Sequence, residues 1–148
     1  MGVFTRFRDI ISSNINAMLD RAEDPEKLIK LILREMEDTL VELKASCAGV
    51  MATSKKVQRE LEQVEERVNY WKEKAELAVS RGRDDLAREA LVEKRKFVQR
   101  RETLELEVME HESLAQQYQD DIQQLEDKLS AAREKQRMLV QRHIHATR

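Results

Sequence analysis

Apolar residues recur along most of the chain at alternating steps of four and three. The first stripe reads Ile29, Leu33, Met36, Leu40, Leu43, Cys47, Val50, Ser54, Val57, Leu61, Val64, Val68, Trp71, Ala75 and Ala78, and only Ser54 in it is polar. A second, weaker stripe reads Ala87, Ala90, Lys94, Phe97, Arg101, Leu104, Val108, His111, Ala115, Tyr118, Ile122, Leu125, Leu129, Ala132, Gln136 and Leu139. An average step of 3.5 residues keeps one face of a helix turned toward a partner helix and implies a left-handed supercoil.

Two residues punctuate this pattern. Pro25 is the only proline, and Gly82 is the only glycine after Val50. Asp24 can cap the first free backbone N–H groups of a helix, Pro25 fits its first position, and Glu26 adds negative charge where the helix dipole is positive. Gly82 suits the left-handed residue that closes a helix, and Asp84 then caps the next one. The expected architecture is all-α. A short N-terminal amphipathic helix occupies residues 1–23, and a long antiparallel two-helix coiled-coil hairpin occupies residues 24–148, with its turn near 81–84.

Folding at Gly82 sets the register, with facing residue numbers summing to about 165. Ala78 then meets Ala87, Ala75 meets Ala90, Val68 meets Phe97, Leu61 meets Leu104 and Leu43 meets Ile122. Trp71 falls opposite Lys94, a candidate cation–π pair. Ser54 falls opposite His111, a polar pair able to specify register at some cost in stability.

Segment 3–22 has its own pattern. Phe4, Phe7, Ile10, Ile11, Ile15 and Met18 form one apolar helical face, while Thr5, Arg6, Asp9, Ser12, Ser13 and Asn16 cover much of the other. Two Phe near the chain end, beside Arg6, Arg8 and the terminal amine, suit a helix lying in a membrane interface. The same face could instead pack on the hairpin or on a partner protein, because amphipathicity does not name its target. Leu28, Leu31 and Ile32 widen the apolar face at the base of the hairpin, to receive segment 3–22 or a further helix, or to form an oligomer or partner groove.

Composition narrows the function. Charged residues make up 38% of the 148 and aromatic residues 4%, as in long helices and coiled coils, while 41% hydrophobic content argues against disorder. Net charge is −2, from 27 basic and 29 acidic residues, so no basic excess points to direct nucleic-acid binding. Lys55-Lys56, Lys94-Arg95-Lys96 and Arg100-Arg101 are basic clusters, but Glu89, Glu93, Glu102 and Glu105 interleave the main one, as on a solvated, salt-bridged face. Cys47 is the only cysteine, which rules out an intramolecular disulfide and fits a reducing compartment. Arg6, Arg8 and Asp9 break any signal-peptide core, Arg6 stands where myristoylation needs Ser or Thr, and no run is long enough to span a bilayer.

No catalytic residue, metal ligand set or cofactor is expected. There is no Gly-rich phosphate loop, nucleophile elbow or paired Cys/His set. His143 and His145 are two residues apart and do not share a helical face. Acidic pairs abound, but a two-helix hairpin gives them no desolvated pocket.

Several stretches resemble the phage shock protein A family. They are Met1-Gly2-Val3-Phe4 with Arg6-Phe7, Asn14-Ile15-Asn16-Ala17, Ala22 through Leu28, Glu35 through Leu40, Glu73 through Ala78, and Asp85-Leu86-Ala87-Arg88 with Ala90-Leu91. The family is related to plastid thylakoid-maintenance proteins and, more distantly, to the ESCRT-III membrane remodellers. The resemblance implies a bacterial envelope-stress protein, cytoplasmic and peripheral to the cytoplasmic face of the inner membrane. Phe4 to Met18 would be its sensor for anionic inner-membrane lipids. The hairpin would bind and inhibit PspF, an AAA+ activator of sigma-54 promoters, making the protein a negative regulator that does not touch DNA. No activator-contacting residue can be assigned from the sequence. Self-association is also implied, with inner-membrane phage shock proteins as further candidate partners. An alternative is a structural scaffold that polymerises on lipid without regulating an ATPase. The family continues into further helices that mediate large rings or rods, and this chain stops at Arg148, soon after the hairpin should end, which puts large assembly and full membrane remodelling in question but not activator binding.

Overall fold

A computed structural model describes residues 2–147. Met1, with its amine, and Arg148, the end of the expected hairpin, lie outside the described residues. There are four helices among them: α1 (Val3–Ser12), α2 (Ile15–Asp20), α3 (Pro25–Ser80) and α4 (Asp84–Ala146). Helices α3 and α4 pack against each other as a hairpin, as the two stripes require.

Local chemistry sets the boundaries. The Asp24 carboxylate accepts from Lys27 N–H at 3.2 Å and caps α3, while Pro25, at the first helical position, has no N–H to leave unpaired. At the other end Gly82 has φ 72° and is the only described residue with positive φ. Gly82 N–H donates to Val79 O at 3.1 Å and Arg83 N–H to Ala78 O at 2.8 Å. This pair of bonds satisfies carbonyls left over when a helix ends. The expected Asp84 cap takes another form. Asp84 is the first residue of α4, and the carbonyl of Arg83 accepts from Ala87 N–H at 3.0 Å. Asp84 and Asp85 therefore act as first-turn charges at the positive end of the helix.

Segment 3–22 is not one helix. Ser13 and Asn14 are extended, with ψ 144° and 94°, and separate α1 from α2. Ser12 and Ser13 turn their hydroxyls back onto Asp9 O and Ile10 O, and Asn14 Oδ1 accepts from Ala17 N–H at 3.0 Å. Short polar side chains compete with helical backbone bonds in this way, and Asn is a favoured N-cap.

Contacts divide the chain into two compact units, Met1–Ala48 with Gln116–Arg148, and Gly49–Ala115. In the first, Ile29, Leu33, Met36 and Leu43 of α3 and Leu125, Leu129 and Ala132 of α4 are buried seam residues. Thr39 is buried beside them, its hydroxyl donating to Glu35 O at 2.8 Å, so no polar atom is stranded. Lys44–Glu126 and Arg133–Glu37, both at 3.4 Å, link the arms in the expected direction. In the second unit Val57, Val64 and Leu104 form a core cluster with Leu61, Phe97 and Val108 packed on it. Leu61 and Leu104 thus lie in one cluster, as the register demands. Arg100 reaches Glu60 across the arms at 2.6 Å. These ion pairs are exposed and orient the arms more than they hold them together.

Every stripe residue is buried or half-buried, whereas Leu106 on the back of α4 is 60% exposed. Truncating Leu104, with no exposed surface, removes core atoms and leaves a cavity. Leu104→Ala should cost about 2–5 kcal/mol, and Leu106→Ala within about 0.5 kcal/mol of nothing. Helix signal followed against urea for the two variants checks both values.

Candidate functional site

The functional candidate from sequence is the apolar face of α1 and α2, which packs against α3 and α4 within the first unit. Phe7 is buried at 9% exposure and Leu19 of α2 at 3%; Phe4, Ile10, Ile11, Ile15 and Met18 are half-buried. The Phe4 ring stacks on Tyr118 of α4, with centroids 4.9 Å apart and planes at 25°. Of the readings left open for this face, the structure displays packing on the hairpin. Leu28 and Ile32 are half-buried at the hairpin base, and Leu31 is 53% exposed.

Polar contacts bracket the docked helix. Arg6 makes a two-pronged contact with Glu42 of α3, one arm of it 2.9 Å from Glu42 Oε1, and this hydrogen bond raises the guanidinium pKa further. At the far end of α1, Lys128 of α4 donates from Nζ to Ile11 O at 2.9 Å and to Ser13 O at 2.6 Å. Carbonyls at a helix C-terminus lack backbone partners, and a cation there also suits the dipole. Burial pushes the Lys128 ammonium below the usual lysine range. Asp121, three residues beyond Tyr118 and seven before Lys128, falls on the same face of α4. Burial, with neighbouring Asp120 adding repulsion, pushes its carboxyl up. A groove of about 480 Å³ follows the α1–α2 joint, lined by Ser13 to Asn16 and by Lys128, Ala132, Lys135 and Met138 of α4.

Other sequence candidates lie in the second unit. Ser54 Oγ accepts from Gln58 Nε2 at 3.1 Å, and His111 Nδ1 lies 2.6 Å from Glu107 O in its own helix. The polar bridge across this stretch runs from Gln58 to Glu112 Oε1 at 3.5 Å, so Ser54 and His111 each satisfy themselves locally. The cation described over the Trp71 ring is Arg67, at 5.9 Å, and not Lys94. Arg67 sits one turn back on the same helical face and lies 4.9 and 5.5 Å from the Tyr70 and Phe97 rings. A groove of about 680 Å³ near the turn is lined by Tyr70, Trp71, Leu77, Leu86 and Val92, with Lys74, Arg81 and Glu93 among its charged residues. The buried Trp71 Nε1 meets no acceptor among the described residues. No group of His, Cys, Asp and Glu among the described residues could hold a metal ion, and no described helix is long and apolar enough to cross a membrane.

Comparison with known proteins gives this arrangement a context. The model of the PspA/IM30 family matches residues 2–147, nearly all of the chain. The chain belongs to the PspA/IM30 family. Relatives in this family include the membrane-associated protein Vipp1 of Nostoc punctiforme, 32% identical over 94% of this chain and 54% of that protein. The phage shock protein A homolog of Bacillus subtilis is 36% identical over 74% of this chain and 45% of its own length. Protein LiaH of the same bacterium is 25% identical over 87% of this chain and 54% of LiaH. The chain spans about half the length of the curated PspA/IM30 relatives it matches.

The raised Asp121 pKa has a defined sign. A carboxyl harder to ionise in the folded protein than in the unfolded chain opposes folding once charged. Its penalty is absent below the unfolded pKa and grows as pH rises through the folded one. Asp121→Asn should therefore raise Tm at neutral pH, and the gain should vanish in acid, as melts across that range will show.

Proposed function

We propose that the chain is a non-enzymatic regulator of envelope stress that couples membrane engagement by α1 to binding of an AAA+ activator of sigma-54 transcription by the hairpin. The observation carrying this reading is the apolar face of α1 in a PspA/IM30 chain. Phe4, Phe7, Ile10 and Ile11 lie together on a short helix flanked by Arg6 and Arg8. Such a helix enters the boundary between headgroups and acyl chains, with affinity following buried apolar area and attraction to anionic lipid. The family's membrane-associated members support the reading. Attachment to the surface of the inner membrane on its cytoplasmic side, where such an activator would be found, belongs to the same proposal.

The hairpin helices offer charged faces suited to a protein partner. If lipid and activator compete, membrane binding must favour the state that holds activator poorly, because coupling between two ligands is reciprocal. Self-association and contact with other inner-membrane phage shock proteins belong to the same proposal. The scaffold alternative dispenses with the activator.

Two measurements test it. Phe4→Glu with Phe7→Glu should abolish flotation with anionic vesicles, since each buried charge forfeits apolar transfer and adds desolvation. The unaltered chain, titrated into a purified sigma-54 activator, should depress its ATPase. Full ATPase activity at saturating chain would discard the regulatory half and leave the scaffold.

A further inference from the structure

We infer that α1 is latched on the hairpin in an autoinhibited state, so that docking and membrane insertion compete for the same apolar face. This rests on the membrane reading above and specifies how that site is controlled. Phe7 is 9% exposed, and the Phe4 ring lies against Tyr118. Neither side chain can occupy that position and a lipid interface at once.

The latch has two polar clasps outside the hydrophobic face. The Glu42 carboxylate receives two N–H groups of Arg6. Lys128 holds the other end of α1 through Ile11 O and Ser13 O. Both partners belong to the hairpin, neither belongs to either seam stripe, and neither lies on the face that would meet lipid. Ser13 and Asn14 already interrupt the helix at that point, so α1 can leave without breaking an intact helical turn. A binding-competent state that is only partly populated lowers apparent affinity by that fraction. Opening the clasps should raise it.

The test uses the whole chain with Lys128→Met and, separately, Glu42→Gln. Vesicles of anionic phospholipid report insertion by flotation, and tryptic cleavage after the exposed Arg8 reports undocking without lipid. Each variant should be cut faster and should float at roughly 5- to 10-fold lower lipid concentration. Lys128→Met removes a positive charge, so simple attraction to anionic lipid predicts weaker binding, and a gain cannot come from charge. Glu60→Gln makes the same charge change as Glu42→Gln at a contact with Arg100, and should change neither readout. Faster cleavage with unchanged flotation would overturn the competition. Unchanged cleavage would overturn the latch. A wild-type chain that never floats, beside variants that undock and still do not float, would overturn the membrane reading itself.

Discussion

The structure depends on apolar contact between two seams that meet because the chain reverses at one glycine. Almost every other feature is subordinate to that contact. The ion pairs between the arms are exposed, and the buried polar residues of α3, Thr39 and Ser54, satisfy themselves within their own helix. A seam of this kind is only one side chain deep, and each large residue in it gains ~1.5–3 kcal/mol from burial. Ordering each residue costs a comparable amount. The hairpin therefore has little surplus, and an added helix packed on it contributes noticeably.

Helix α1 is such an addition. Its contacts in the first unit combine a stacked aromatic pair, one buried Phe and charge-assisted hydrogen bonds to side chain and backbone. These are the same kinds of interaction that bind a ligand in a groove. The docked helix has the character of an intramolecular ligand. Membrane affinity and hairpin stability are linked through that single helix in the reading proposed here.

Much of this was legible in the sequence. The 3.5-residue stripes located both arms, and every stripe residue is at least half-buried. Pro25 and Gly82 marked the boundaries because their backbone restrictions act locally. What escaped was chemistry without periodicity. Ser12-Ser13-Asn14 breaks the amphipathic segment, and the signal was present as three short polar residues in a row, one of them a favoured cap. Asp84 stands inside α4 and not before it, a shift of one residue that cap statistics do not resolve. Arg67 takes the aromatic position expected for Lys94, because a neighbour one turn away on the same helix competes with a residue across the seam. Lys128 and Glu42 were invisible as contacts, since a third helix has no period relative to the other two.

The extended joint at Ser13 and Asn14 has a geometric consequence. In the undocked state inferred above, Leu19 would keep α2 seated while α1 swings, with the joint as a hinge and α1 as a short lever. At 1.5 Å per helical residue, the lever from Phe4 to Ser12 reaches only about 12 Å. A bilayer can be touched only when the base of the hairpin already stands close above it, so proximity would have to precede insertion.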